Sequence, residues 1–376
     1  MEKTSRTASF APACRVLSAA LVLACGISGL ARAESLVERE NRGLVEIITG
    51  GSDLTSIQMA QDLAAILDDG ATRRILPVIG RGSTQNLLDL RALRGIDIGV
   101  IQTDVLDAAR KQRAVPAVEN SISYIAKLYN EELHVLAPAS VHDIAELDGK
   151  KVNFASTAAI TGPAVFDLLK VKPVPVSEDP VTALQKLKSG EISAVVYLAG
   201  KPSSLFGGLA NQAGLHFLSV PLKPELASAY IPARLTAEDY PNLVPADAPV
   251  DTVAVGAVLV VAGLQPGTER YRNVANFVDA FFTQFPRFQE ASRHPKWQEV
   301  NLAAELPGWK RFPPAEEWLK RNAIASAAPL SEKDLREIFA KFLDERTRLS
   351  GGKALSASEK NAMFDQFQRW QKSQAR

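Results

Sequence analysis

Residues Leu44 to Leu67 read LVEIITGGSDLTSIQMAQDLAAIL. Leu44 to Ile48 is an apolar, β-branched run that stops at Thr49-Gly50-Gly51-Ser52, and Ile57, Ala60, Leu63, Ala64 and Leu67 then recur at helical spacing. A strand that turns directly into a helix is the unit of a parallel α/β layer. Two more units follow. Ile75 to Ile79 (ILPVI) ends at Gly80-Arg81-Gly82-Ser83 and leads to a helix over Asn86 to Leu93, and Asp97 to Gln102 (DIGVIQ) is a third strand. Three such units in succession predict a doubly wound sheet.

Further along, SYIAKLY and LHVLAP, between Ile122 and Pro138, predict two strand pieces that cross out of the first domain. After the turn Leu147 to Lys151 a second set begins. It comprises a strand over Val152 to Ala155, a turn over Ser156 to Gly162, helices over Pro163 to Leu169 and Val181 to Ser189, and a strand over Ala194 to Leu198. The β-branched run Asp251 to Val261 then returns to the first domain, and a helix covers Thr268 to Phe285. One domain interrupted by another, with two crossings, is the layout of a bilobed α/β clamp with a hinge. The expected divisions are a signal peptide over 1–33, the first lobe over 34–138 and again over 249–289, the second lobe over 139–248, and a helical C-terminal extension over 290–376.

The extension stands apart in composition. It holds all four tryptophans, Trp297, Trp309, Trp318 and Trp370, and it is mildly basic beside an acidic body. Ser331 with Asp334 and Ser356 with Glu359 are capping-box patterns. Each precedes an apolar stripe, Leu335 to Leu343 and Met363 to Trp370. Such stripes need burial, either against the body or against a partner chain.

At the other end, Lys3, Arg6 and Arg15 precede an apolar stretch from Val16 to Leu30 and the small-residue pattern Ala31-Arg32-Ala33. This predicts export to the periplasm with cleavage after Ala33. Val22-Leu23-Ala24-Cys25 leaves open a lipoprotein anchored through Cys25. No later stretch is long and apolar enough to span a bilayer.

Composition excludes several functions. The chain has 376 residues, 46% hydrophobic and 23% charged, with 43 Lys and Arg against 42 Asp and Glu. These are globular values, and the charge balance does not argue for nucleic acid. Both cysteines, Cys14 and Cys25, lie in the first segment, which leaves the rest without a thiol nucleophile or a cysteine-ligated metal. The four histidines are scattered. No H-E-x-x-H, G-x-S-x-G or G-K-[ST] pattern is present, so neither a catalytic constellation nor a cofactor or metal is expected. His134, within LHVLA, reads as a hydrogen-bonded strand histidine.

What recurs is a glycine or hydroxyl turn at a strand's carboxyl end, feeding a helix amino terminus. Thr49 to Ser52, Gly80 to Ser83 and Ser156 to Gly162 are three such places. Each can present N–H groups to carboxylate or amide oxygens, or can be a plain helix cap. Ligands of open α/β sheets bind outside the carboxyl ends of the strands.

The pieces IITGGSDLTS, GRGSTQNLLDLRALRGIDIGVIQTDV, IAKLYNEELHVLAP, IAELDGKKVNFASTAAITG, GEISAVVYLAGKPSS and VDTVAVGAVLVV, in this order over most of residues 43 to 285, resemble the solute-binding proteins of TRAP-type transporters, in the TAXI branch. That resemblance implies a type II periplasmic-binding-protein fold, no enzymatic activity, and delivery of a small organic ligand, a carboxylate or an amino acid, to TRAP-type membrane permease subunits. A periplasmic sensor that docks on a membrane receptor kinase, or an enzyme on the same fold, are the alternatives. Carried over by position, the resemblance implies a ligand site of Gly51, Ser52, Thr55 and Ser56; Gly82, Ser83 and Asn86; Gln102 with Asp104; Tyr129; Thr157, Thr161 and Gly162; and Lys201. As plain structure, Asn86 would be a polar residue on a helix face, Tyr129 a core ring and Asp104 an N-cap. Two positions depart from the family. Leu54-Thr55-Ser56-Ile57 stands where a tyrosine pair is usual, and Lys201 stands where an apolar residue is frequent. The extension lies beyond the family's usual end.

Overall fold

Strand β1 (Leu44–Thr49) and helix α1 (Thr55–Leu67) realise the opening strand-turn-helix unit. Ile57, Ala60, Leu63 and Leu67 face the core, as their spacing requires. The computed structural model describes residues 41–51, 54–111, 118–207, 209, 214–326, 336, 340, 356–361 and 363–365. The expected signal peptide, Ser52 and the first capping box lie outside the described residues.

The first lobe continues with β2 (Arg74–Ile79), α2 (Ser83–Ala92), β3 (Ile96–Gln102) and α3 (Thr103–Lys111). Then comes β4 (Ile122–Pro138), 17 residues long. The two strand pieces read from the sequence are this one strand. Its interior residues are mostly buried, and no glycine or proline interrupts it before Pro138. The second lobe comprises β5 (Lys151–Phe154), α4 (Thr161–Leu168), β6 (Val174–Val176), α5 (Pro180–Ser189), β7 (Ala194–Ala199), β8 (Leu215–Phe217) and β9 (Ile231–Leu235). Asp179 caps α5 through Val181 and Thr182 N–H, and Gly190 ends it in the left-handed conformation. The chain then runs through β10 (Val250–Ala262) and α6 (Glu269–Thr283).

The strand order is β2-β1-β3-β10-β4-β7-β5-β6, with β8 on β4 and β9 on β10. β1, β2 and β3 are parallel, while β10 inserts antiparallel between β3 and β4. β4 pairs with β10 from Ile122 to Glu132 and with β7 from Glu132 to Leu136, so one strand serves both halves of the sheet. β10 does the same, pairing with β9 over Val250 to Ala254 and with β3 over Ala257 to Val261. A late strand inserted antiparallel, with two long strands running on into the second half, is the bilobed type II periplasmic-binding-protein architecture.

Alternation along the strands gives each half a core on both faces. In the first half, Val45, Ile47, Met59, Leu63, Phe277 and Phe281 fill one face, and Ile48, Leu87, Ile101 and Val105 fill the other. In the second, Leu133, Val152, Phe166 and Val196 oppose Leu136, Leu184, Val195 and Phe217.

The extension packs onto the first half, as far as Ser326. Trp297 is fully buried, its ring 4.6 Å from that of Phe288, and its indole N–H donates to Asp62 at 2.9 Å. Tyr124 N–H donates to Lys310 carbonyl at 3.0 Å and Phe312 N–H to Tyr124 carbonyl at 2.8 Å, which lays this strap against β4. Trp309 joins the second core face under Arg110. Helix α7 (Pro313–Ser326) brings Trp318 edge-on to Phe282. Farther on, Ser356 and Glu359 form the reciprocal pair of a capping box: Ser356 N–H reaches Glu359 Oε2 at 2.8 Å and Glu359 N–H reaches Ser356 Oγ at 3.3 Å. Phe364 is buried beneath the Arg336 guanidinium. Trp370 lies outside the described residues.

Candidate functional site

The carboxyl ends of β1 and β3, the amino end of α2 and the turn before α4 meet at one small cavity between the two halves. Gly50, Ser56, Gly82, Ser83, Gln102 and Glu131 line it from one side and Thr157 from the other. Its free volume of about 10 Å³ holds about one water molecule. The cleft is closed. Gly82, the residue before α2, has φ +105°, a region that a side chain would strain, and its backbone faces Ser156 carbonyl.

Three hydrogen bonds join the halves here. Gln102 Nε2 donates to Thr157 carbonyl at 3.2 Å, Thr161 hydroxyl to Asp104 Oδ2 at 2.5 Å, and Thr55 hydroxyl to Gly200 carbonyl at 3.3 Å. At the last contact the strand end and the helix touch closely, since a Cβ on Gly200 would stand 2.8 Å from Thr55 Oγ1.

The remaining sequence-predicted residues divide into those that build the turns and those that face away. Ser56 Oγ accepts from Gly50 N–H at 3.0 Å, and Ser83 Oγ accepts from Gln102 N–H at 3.2 Å, so both hydroxyls fix backbone at the cavity wall. Asn86 is fully buried and ties the first two turns together. Its Nδ2 donates to Thr49 carbonyl at 2.6 Å, and its Oδ1 accepts from Arg81 N–H at 3.2 Å. Gly51 carbonyl accepts from Leu54 N–H. Thr157 Oγ1 accepts from Leu198 N–H at 3.3 Å. Gly162 sits against Phe154, where a Cβ would come 2.5 Å from the ring, so its role in the fold is close packing. Lys201 reaches back into its own half. Its ammonium holds Asp239 at 2.9 Å and Arg234 carbonyl at 2.7 Å, while its N–H donates to Glu132 at 2.9 Å. Tyr129 is a core ring whose hydroxyl donates to Glu131 Oε1 at 3.1 Å.

The groups that sequence reasoning passed over are Glu131, Glu132 and Lys296. Glu131 accepts from Tyr129 on one oxygen and from Gln102 Nε2, at 2.6 Å, on the other. Burial pushes its carboxyl up to about 7 against the pull of those two hydrogen bonds, with the neighbouring Asp104 adding to the rise. Asp104 is itself raised by burial, opposed by Thr161. Glu132 is also raised by burial to about 7, and here Lys296 is the opposing influence. Lys296 Nζ lies 2.6 Å from Glu132 Oε1 and 2.7 Å from Glu299 Oε1, and both Lys296 and Glu132 are under 5% exposed. Two adjacent carboxylates inside a predominantly apolar strand were the available signal, because buried acids are paired or functional. His134 is buried, its Nε2 2.7 Å from Tyr240 hydroxyl, and burial lowers its pKa to about 3, so the ring is neutral. Tyr240 hydroxyl also accepts from Ser203 N–H at 2.8 Å, and the direction of its bond with His134 Nε2 follows the tautomer of the ring, whose Nδ1 has no hydrogen-bond partner among the described residues.

Among the described residues no group of three or more His, Cys, Asp or Glu could hold a metal ion, and no helix is long and apolar enough to cross a membrane. Residues 55–301 match the model of the NMT1-like family. The match runs past the expected end of the lobes and takes in Lys296 and Trp297. No curated protein matches the chain. Solved structures that it resembles include the GluR0 ligand-binding core from Nostoc punctiforme in complex with L-glutamate, at 14% identity and a TM-score of 0.39, covering 68% of this chain and 96% of that one. Another is a mutant of ArgBP from T. maritima, at 13% identity and a TM-score of 0.42, covering 70% and 98%. A third is the periplasmic aliphatic sulphonate binding protein SsuA from Escherichia coli, at 16% identity and a TM-score of 0.38, covering 74% and 78%.

Proposed function

The chain belongs to the NMT1-like family, and from that premise we propose that it is an exported, non-enzymatic solute-binding protein that captures a small organic ligand of the carboxylate or amino acid class in the cleft between its lobes. The observation that carries this reading is the cleft itself: turn residues of both halves meet across one cavity, and among the described strands only β4 and β10 run through both halves of the sheet. Residues 34–138 with 249–289 form one lobe, 139–248 the other, and 290–376 an extension. The two long strands act as the hinge. Opening breaks the three bonds that join the lobes at the cleft, which at about 1 kcal/mol each amounts to a small gap that a ligand bridging both lobes can reverse. The turn groups Gly51, Ser56, Gly82 and Ser83, with Thr55, Gln102, Thr157 and Thr161, then exchange their present contacts for ligand contacts, and Ser52 belongs to the proposed site by its place in the first turn. Asn86, Tyr129 and Gly162 hold the walls.

The resemblance of the sequence to TAXI proteins supports a periplasmic location and TRAP-type permease subunits as the partner, and the basic start, apolar stretch and Ala31-Arg32-Ala33 pattern support a signal peptide over 1–33. Mass spectrometry of what co-purifies with the protein, followed by a thermal-shift screen of carboxylates and amino acids, tests binding. Genes for TRAP membrane subunits beside this one would support delivery to that permease. A protein that carries no small molecule and that no candidate stabilises would refute the binding reading.

A further inference from the structure

Among the described residues Glu131 is the one carboxylate in the wall of the interlobe cavity, and its two oxygens meet only neutral donors there, Tyr129 hydroxyl and Gln102 amide. Lys296, whose charge opposes the rise of the Glu131 carboxyl, has its ammonium bonded to Glu132 and Glu299. Asp104, at a second of the three contacts between the lobes, likewise has a hydroxyl and an N–H as partners. A buried acid with no cation bonded to it is a costly arrangement, and burial pushes its carboxyl up to about 7. The same corner also holds Thr157 carbonyl. In the closed cleft Gln102 Nε2 fills this acceptor pair, 2.6 Å from Glu131 on one lobe and 3.2 Å from Thr157 on the other. An N–H donor is therefore the group this corner takes, and a cationic one would also neutralise the acid.

Building on the reading of this cleft as a ligand site, we propose that the ligand carries an ammonium group, held between the Glu131 carboxylate and the Thr157 carbonyl. Gln102 swings aside as the lobes part, and the ammonium closes the same bridge when they meet again. A small carboxylate with no nitrogen has no partner in this corner, so the ligand class narrows to amino acids and amines. Ionisation of Glu131 accompanies binding, and a proton is released from the fraction that was protonated.

The test uses the mature protein with two matched probe sets. One contains L-alanine, L-glutamate, L-arginine and putrescine, and the other the nitrogen-free propionate, glutarate and hexanoate. Thermal shift at pH 8, where Glu131 is ionised, identifies stabilisers, and calorimetry of the best one compares the parent with Glu131→Gln. The expected result is stabilisation by members of the first set only, with Kd raised at least tenfold in the variant. Stabilisation by the nitrogen-free set alone, or an aminated ligand whose Kd is unchanged in Glu131→Gln, overturns the ammonium assignment and leaves the cleft a binding site. Stabilisation by neither set overturns the binding reading and this inference with it. If Glu131→Gln does not fold, Glu131→Asp retains the charge one methylene further back and should still weaken the aminated ligand; an unchanged Kd there counts against the assignment.

Discussion

Lys296→Met removes a charge from the inside of the protein while keeping the length of the side chain. Lys296 is 2% exposed and its partner Glu132 is 4% exposed, and the 2.6 Å contact between them joins the extension to the strand shared by both lobes. Without the ammonium, Glu132 keeps Lys201 N–H at 2.9 Å as its remaining donor. Breaking a buried pair from one side costs about 3–5 kcal/mol, because the orphaned charge stays in a low dielectric. The cost depends on pH. The folded-state pKa of Glu132 is already raised by burial to about 7, above the ordinary value of 4.5, and loss of Lys296 removes what lowers it. A raised pKa gives stability that is complete below 4.5 and is lost as pH rises through the folded value. The deficit of Lys296→Met should therefore be largest at pH 8 and shrink toward pH 5, where the acid is neutral. Urea unfolding of parent, Lys296→Met, Glu132→Gln and the double variant at both pH values measures this. The cycle should show coupling of about 1.5–3 kcal/mol at pH 8. A single variant within about 1 kcal/mol of the parent at pH 8, or a deficit that does not change with pH, would refute the argument.

Glu131→Gln should flatten stability against pH between 4.5 and 7. The raised carboxyl makes the parent lose stability as pH climbs through that window, while neutral His134, lowered to about 3, acts oppositely below 6.5 and is unaffected by the change; identical slopes for the two proteins would count against a raised Glu131. Trp297→Ala should cost about 3–5 kcal/mol in the same unfolding assay, and truncation after Phe288 should give an insoluble or strongly destabilised chain, since Trp297, Phe312 and Ala315 all lie in the first core. A truncated protein that melts with the parent would mean that the strap contributes nothing to that core. Lys201→Met should lower stability through loss of the Asp239 pair and should change ligand affinity no more for an acid than for its amide, a comparison calorimetry settles. Thr157→Ala leaves Leu198 N–H without its acceptor and should cost about 1–3 kcal/mol of stability, so its effect on binding has to be read against a melting curve.

The architecture was legible where the chain punctuates itself. Runs such as LVEII and DIGVIQ stop at glycine turns, and each appears as a strand within a residue or so of the expected limits. The long strand β4 was split in two because its period is masked. Most of its side chains are buried whichever way they point, and alternation then carries no information about where a strand ends. The packing of the extension was half legible. Its tryptophans declared that something had to be covered, but it takes the contacts of Trp297 with Asp62 and the backbone pairing of Tyr124 with the strap to show that the surface covered is the first lobe's own.

The cleft was less legible than the fold, and the pair Glu131 and Glu132 shows why. Successive residues of a strand project to opposite faces, so two adjacent glutamates meet unrelated surroundings. Glu131 turns toward the cavity, Gln102 and Thr157. Glu132 turns toward Lys296, 164 residues away in sequence, and toward the backbone of Lys201. Neither partner is marked by spacing or motif, because the lysine comes from the extension and the N–H from the second lobe. Lys201 shows the converse. A lysine between glycine and proline at a strand's end was well placed to meet a ligand, but Asp239, 38 residues on, claims its ammonium first. Sequence order can assign a residue to a turn, whereas the identity of its partner depends on distant segments. Here the two acids at the centre of β4 join those segments: one faces the site where a ligand would bind, and its neighbour anchors the extension to the strand about which the lobes would move.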